Sequence, residues 1–526
     1  MPVAPSHPSL RHGPANLIAG FWKDLAGKTI RTHNPANPSV IIWQGSPPVD
    51  AVGDAVNAAR SALPLWRRWE PQRRFAVLRT YQKICQDRAK DIAGLIADET
   101  GKVLWDAEQE ASLLAAKVDI TLDQSPVGAM HRVMPYEVTV SPTRQGRAWF
   151  RPHGVMAVIG PYNFPLHLPN GHIIPALATG NTVVFKPSDK APACGQLLAE
   201  LLQEALDEHH APAGTLNLVH GAADVASATV SHPGIDGVLF TGSWPVGRKI
   251  LHANLDRPSR IVALEMGGNN PAVVMDDADL KQAVVECVRS AFISTGQRCT
   301  CTRRIIVHRA IAPAFTSALC KAAGSLIIGD PRADHPVFMG PIITDAARQA
   351  VFEFQTALHR AGAEVLFPSR PVDSPGNGWF LTPGVVRVER FHNGGSGPVS
   401  GCEFDAGCDI EVFGPLVRLC VVETLDHAIE QANATKYGLA AAIFSRSQET
   451  VERFQAEARA GCVNVNCGTA GASSKLPFGG LGLSGNHRPA GAFSLDYCAY
   501  PVAGMVETGT DAAIPVGLKI EDSWLS

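Results

Sequence analysis

Gly237-Val238-Leu239-Phe240-Thr241-Gly242-Ser243-Trp244-Pro245-Val246-Gly247 sets a short apolar run directly against a glycine turn and a helix-compatible segment. Pro245 suits a first helical turn, where a missing N–H costs nothing. A strand that ends in glycine at a helix N-terminus offers free N–H groups and a partial positive charge to a pyrophosphate. Such junctions recur throughout α/β folds, so the surroundings decide. Val155 to Gly160, Thr182 to Lys186, Leu216 to Val219 and Ile261 to Glu265 are further short, β-branched-rich runs separated by helix-like segments. That alternation, from Gly154 to Gly268, predicts a doubly wound parallel sheet.

Toward the N-terminus, Asn34 to Gln44 reads as a turn and strand, and helices are predicted over Ala51 to Leu63, Gln72 to Thr100 and Trp105 to Leu122. Gly101 ends the second of these. The partly alternating stretch Val133 to Phe150 predicts a hairpin leaving the body of the domain. Toward the C-terminus, alternation resumes from Asn270 to about Asn466, with helices at Leu280 to Ile293, Asp345 to Ala361 and Leu425 to Ala432. It predicts a second α/β domain. Phe391 to Asp409, rich in Gly, Ser and Pro and carrying Cys402 and Cys408, reads as a flexible insertion or a substrate lid. The residues after Thr508 read as a surface tail.

The 46 basic and 49 acidic residues nearly cancel, and no dense Lys/Arg block follows a phosphate backbone, so nucleic acid is not expected as a partner. No window approaches the roughly 18 apolar residues of a membrane span. Met1 to Gly20 lacks the pattern of a secretory signal, which gives a cytoplasmic expectation with the 12 cysteines reduced. Cys299 and Cys301 have no second pair at metal-ligand spacing, and no metal is expected.

Cys299 falls on a short connection, Gly296-Gln297-Arg298-Cys299-Thr300-Cys301, between a helix-like run and the strand-like Arg304 to Val307. A nucleophile sits on such a connection, and Arg298 would favour its thiolate; a loop cysteine without function is the alternative. Gly480-Leu481-Gly482-Leu483-Ser484-Gly485 matches the dinucleotide pattern in letters only. It follows no strand and runs into Pro489 where a helix would propagate.

Five stretches in register carry a resemblance: Gly160-Pro161-Tyr162-Asn163-Phe164-Pro165, Phe185-Lys186-Pro187-Ser188-Asp189, Leu264-Glu265-Met266-Gly267-Gly268, Gly296-Gln297-Arg298-Cys299 and Glu411-Val412-Phe413-Gly414-Pro415. Together they resemble the NAD(P)-dependent aldehyde dehydrogenase superfamily, from about Asn34 to Val502. The resemblance implies an aldehyde dehydrogenase-like α/β fold with three parts. These are a Rossmann-type NAD-binding domain (16–132 and 151–265), an α/β catalytic domain (266–470) and a β oligomerisation arm (133–150 and 485–507), followed by a tail (508–526). The arm implies a homodimer or higher homo-oligomer.

The resemblance also implies roles. Cys299 is the nucleophile, Glu265 the general base, and Asn163 the oxyanion donor beside the Cys299 backbone N–H. Pro161, Lys186, Ser188, Asp189, the turn Gly242-Ser243-Trp244-Pro245-Val246-Gly247, Glu411 and Phe413 would hold the cofactor. An acid at Asp189 would repel a 2'-phosphate, which favours NAD over NADP. Glu265 argues for hydrolysis over transfer to CoA, and an intact Cys299, Glu265 and Asn163 argue against a silent scaffold of the same fold. Pro165 to His172 and Ser484-Gly485-Asn486-His487-Arg488-Pro489, with Asp496-Tyr497-Cys498-Ala499, are similar to a branch that oxidises an N-succinylated glutamate semialdehyde in arginine breakdown. Its substrate carries several carboxylates, so fixed positive charge is expected in the pocket, from Arg298 or from His487 and Arg488.

Overall fold

The β-branched runs pair side by side and are buried on both faces, as a parallel sheet covered by helices requires. The computed structural model describes residues 7–394, 405–510 and 512–526. Its first sheet runs in the order Ile261–Met266, Gly237–Gly242, Val155–Ile159, Thr182–Lys186 and Leu216–Leu218, all parallel. Two antiparallel strands absent from the sequence reading, Ala15–Ile18 and Phe21–Asp24, extend its edge. At four residues each they are too short for a period-two pattern to register.

Helices Ala51–Trp66 and Leu104–Leu122 lie close to their predicted bounds. The single helix expected over Gln72 to Thr100 is instead two, Pro71–Asp87 and Ala89–Thr100. Arg88 breaks it at φ −105° and ψ 17°, and its guanidinium donates to the Ser9 carbonyl at 2.6 Å. A tertiary partner thus overrides local propensity. Gly101 closes the second helix in the left-handed region, at φ 75°.

The second sheet is ordered Glu364–Phe367, Gly384–Arg387, Leu416–Val422, Thr302–His308, Asn270–Val274, Ala440–Phe444 and Cys462–Val465, parallel except at its first pair. Only Gly267, Gly268 and Asn269 separate the end of Ile261–Met266 from the start of Asn270–Val274. The joint between the sheets therefore lies immediately beside Glu265.

The hairpin Tyr136–Thr139 and Arg144–Pro152 takes the late strand Ala499–Glu507 as its third member, from Ala499 opposite Pro152 to Glu507 opposite Arg144. Tyr136, Val138, Val140 and Met505 on this small sheet are exposed. Within Phe391 to Asp409, Phe391 and Cys408 are buried, while residues 395–404, with Cys402, lie outside the described residues. Residues 512–526 are exposed throughout. Among the described residues no helix is long and apolar enough to cross a membrane, and no His, Cys, Asp and Glu cluster is placed to hold a metal.

Candidate active site

The chain reaches Cys299 through a strained turn. After helix Leu280–Phe292, Ser294, Thr295 and Gly296 adopt φ of 51°, 56° and 69°. Left-handed backbone at a β-branched threonine costs on the order of 1–3 kcal/mol and persists only where the surroundings hold it. Here Ser294 Oγ donates to Asp106 at 2.5 Å and Thr295 Oγ1 to the Gly340 carbonyl at 2.9 Å. Gly296 presses on Gly414 so closely that a Cβ would stand 2.2 Å from its carbonyl oxygen. Asn270 fixes the far side, donating from Nδ2 to the carbonyls of Cys299 (2.7 Å) and Cys301 (2.8 Å) while its Oδ1 accepts from Ala440 N–H. Cys299 is left half-buried at the end of this loop. The sequence reading passed over Asn270; its one signal was a polar residue opening an apolar strand.

Glu265 stands near the end of its strand, buried, with neither carboxyl oxygen hydrogen-bonded. Burial pushes its pKa up to about 8; the adjacent Cys299 thiol pulls it down and the Glu411 charge pushes it further up. The Cys299 thiol is raised well above its usual range by burial, then by Glu265, Glu411 and Cys301. Thiol and acid thus rest largely protonated at neutral pH, side by side. The strand is braced by the glycine-rich loop rejected above as a dinucleotide motif. Gly485 forms an isolated bridge with Glu265, Asn486 Oδ1 accepts from Leu264 N–H at 2.8 Å, Asn486 Nδ2 donates to the Val262 carbonyl at 3.0 Å, and Ser484 Oγ donates to the Gly267 carbonyl.

Around this pair, Glu411 accepts from Gly268 N–H at 3.0 Å. Burial lifts its pKa to about 7, against the pull of Arg303 and that hydrogen bond. Phe413 meets the Tyr162 ring edge-on, centroids 6.0 Å apart. Asn163 is buried and lines a small cavity with Ser294 and Gln297 of the cysteine loop, apart from the larger one above Cys299. Lys186 is buried at its strand end, its pKa lowered by desolvation against the pull of Asp189 and Asp224; Pro161 and Ser188 are half-buried and Asp189 is exposed. Helix Trp244–Ala253 begins directly after Gly242 and Ser243 with Pro245 in its first turn. Gly247 packs so tightly that a Cβ would meet Met266 Sδ at 2.3 Å. Trp244 packs half-buried on the apolar core, and Val246 is exposed.

A cavity of about 590 Å³ opens above Cys299. Its walls include Gln109, Leu113 and Lys117 from one face of helix Leu104–Leu122, Phe164, His167 and Arg298. Arg298 is in the wall but engaged: it pairs with Asp106 at 2.6 Å and donates to Ser294 Oγ at 2.8 Å. His487 and Arg488 are not in the wall. Both have left-handed backbone, and Arg488 donates to the Gly480 carbonyl. Lys117 and His167, which do line it, were not singled out from the sequence.

A model of the aldehyde dehydrogenase family matches residues 22–501. The chain belongs to the aldehyde dehydrogenase family. This aldehyde dehydrogenase is 41% identical over 483 residues to the N-succinylglutamate 5-semialdehyde dehydrogenase of Sphingopyxis alaskensis, covering 91% of this chain and 94% of that one. It is 42% identical over 494 residues to N-succinylglutamate 5-semialdehyde dehydrogenase 2 of Caulobacter vibrioides, covering 93% and 95%. Among solved structures it resembles a putative aldehyde dehydrogenase from Burkholderia cenocepacia (TM-score 0.85, 28% identity, 96% and 99% covered). It also resembles an NAD-dependent aldehyde dehydrogenase from Sinorhizobium meliloti (0.85, 27%, 98% and 99%). A glyceraldehyde-3-phosphate dehydrogenase from Methanocaldococcus jannaschii complexed with NADP is similar too (0.82, 26%, 92% and 100%). The aldehyde dehydrogenase is an oxidoreductase acting on small-molecule aldehydes. Its thiol in the cavity wall and the carboxylic acid buried beside it suit covalent capture of a carbonyl followed by proton transfer.

Proposed function

We propose that this enzyme oxidises N-succinyl-L-glutamate 5-semialdehyde to N-succinyl-L-glutamate with NAD and water, in the arginine succinyltransferase pathway. The observation that carries the reading is the identity of 41% and 42%, over more than nine-tenths of the chain, with relatives bearing that name. The cavity above Cys299, with basic residues in its wall, supports it.

The roles are those the resemblance implies, supported by the adjacency of Cys299 and Glu265. Cys299 Sγ adds to the aldehyde carbon as its proton passes to ionised Glu265, the adjacent acid. The Cys299 N–H and the Asn163 amide donate to the oxygen that becomes an oxyanion. Bound NAD would supply the hydride acceptor, and loss of hydride from the adduct carbon would leave the acyl group on Cys299 as a thioester. Glu265, having released its first proton to solvent, takes one from the attacking water; the C–S bond breaks, and acid and free thiol are restored.

The residues present fit the dinucleotide. The open N-terminus after Gly242 and Ser243 suits its pyrophosphate, Lys186 and Ser188 its adenosine ribose, and Glu411 and Phe413 its nicotinamide half. The exposed Asp189 carboxylate disfavours a 2'-phosphate. The first sheet with its helices then serves as the NAD-binding domain and the second as the catalytic domain. The three-stranded sheet with its exposed apolar residues is the surface on which subunits pair, and we place the enzyme in the cytoplasm.

The test follows NADH absorbance with the succinylated semialdehyde beside glutamate semialdehyde, succinate semialdehyde and propanal, in wild type and Cys299→Ala. Selectivity for the succinylated compound, lost in the variant, is expected. Preference for another aldehyde would overturn the substrate, and turnover surviving in Cys299→Ala would overturn the mechanism.

A further inference from the structure

We propose that Lys117 binds a carboxylate of the substrate, with the His167 imidazole donating beside it. The inference deepens the function proposed above and rests on it for the identity of the anion.

The arginines in the cavity wall are already neutralised, Arg298 by Asp106 and Arg289 by Glu286 at 2.5 Å. Lys475, also in the wall, is solvent-exposed. Lys117 differs from all three. It is 2% exposed, and its ammonium donates only to neutral acceptors, the Gly491 carbonyl at 2.9 Å and Ser494 Oγ at 2.7 Å. Among the described residues no carboxylate pairs with it. An ammonium has three hydrogens to give, so one is free. Burial lowers its pKa to about 8, opposed by Cys498.

His167 stands in the same wall, and its buried Nδ1 has no hydrogen-bond partner. Burial, with Lys117, Lys102 and Arg298 nearby, drives its pKa down to about 3, so the ring is neutral and carries one N–H to offer. Buried and unpartnered polar atoms are costly. A carboxylate entering the cavity meets the Lys117 charge and can accept from the half-buried His167 ring, whereas a neutral aldehyde leaves the Lys117 charge unmet. Selection of an anionic over an isosteric neutral substrate follows from those unmet groups.

The alternative is that Lys117 merely pins the segment Gly491 to Ser494. Lys117→Gln separates the two, because glutamine can keep a hydrogen bond to that segment while losing the charge. In the variant, KM for the succinylated semialdehyde should rise at least about tenfold more than KM for propanal, with Lys117→Arg restoring part of the difference. A structural role would instead shift both KM values alike and lower the unfolding temperature. A second readout needs no turnover: glutarate should slow alkylation of Cys299 by iodoacetamide in wild type but not in Lys117→Gln, and neutral glutaramide should protect neither. Glutarate protection lost in the variant while the succinylated compound is no substrate would keep the anion site and discard the proposed pathway. Equal protection of wild type and variant, with unchanged KM ratios, would overturn the anion site.

Discussion

Glu411 occupies the space that a side chain on Gly267 would fill: a Cβ built there lies 1.8 Å from Glu411 Oε2, while the other oxygen accepts from Gly268 N–H. The glycine pair at the joint between the sheets is thus a seat for a carboxylate carried in from residue 411.

Gly267→Ala should evict that carboxylate and leave its Gly268 donor empty. A charged hydrogen bond of this kind is worth about 1.5–3 kcal/mol, so KM for NAD should rise by about tenfold or more. Titration of NAD binding by fluorescence, beside a thermal melt, checks it. An unchanged dissociation constant would sink the idea that Glu411 serves the cofactor.

Glu265 predicts a pH dependence with a definite sign. Its carboxyl binds its proton up to about pH 8 in the folded chain, against an ordinary 4.5 when unfolded. Between those values the folded state holds the extra proton, so the contribution of Glu265 to stability falls as pH rises through that window. Glu265→Gln should melt higher than wild type at pH 9 and close to it at pH 4. Activity should move the other way, climbing toward pH 8 as the base ionises, and that limb should vanish in Glu265→Gln.

Arg298 answers to Asp106, whose side chain is only 1% exposed. Arg298→Ala would strand a buried carboxylate and should destabilise the fold by about 3–5 kcal/mol, read by urea denaturation. Pairing Arg298→Ala with Asp106→Asn should recover much of that loss. If Arg298→Ala melts like wild type, the ion pair is not what holds the cysteine loop.

Much of this was legible in the chain, for identifiable reasons. The run Gly237 to Gly247 declared its strand, turn and helix because β-branched residues, glycine and a first-turn proline agree with one another there. Ala15–Ile18 stayed hidden since four residues carry no period. The break at Arg88 depends on the Ser9 carbonyl, which lies far off in sequence. In sequence Lys117 is one charge on a long helix, and only tertiary packing sets it in the cavity wall with no carboxylate paired to it among the described residues. Asn270 could not be read as holding the cysteine loop before the loop was seen folding back on it. The glycine run 480–485 does follow a strand, the two-residue Pro477–Phe478, against the sequence reading, but leads only into a three-residue helical turn; its work as a brace appears only when Asn486 meets Leu264.

Asn486 offers a direct measure of that brace. Asn486→Ala removes both of its side-chain bonds to the Glu265 strand and should cost about 1–3 kcal/mol, with kcat falling more than KM rises. Steady-state kinetics and denaturant unfolding on one preparation decide it; a loss of stability with unaltered kcat would detach the brace from catalysis.

The groups that finish the site come late in the chain. Ser484, Gly485, Asn486, Gly491 and Ser494, and the strand Ala499–Glu507 that completes the small sheet, all lie beyond residue 476 of 526. At roughly 5–20 residues per second, a ribosome spends most of its time on this message holding a polypeptide whose Glu265 strand is unbraced and whose Lys117 has nothing to grip. The nascent enzyme is therefore silent until the ribosome has passed these residues. A stop codon placed before Ser484 would yield a product without turnover, rather than a shortened but working one.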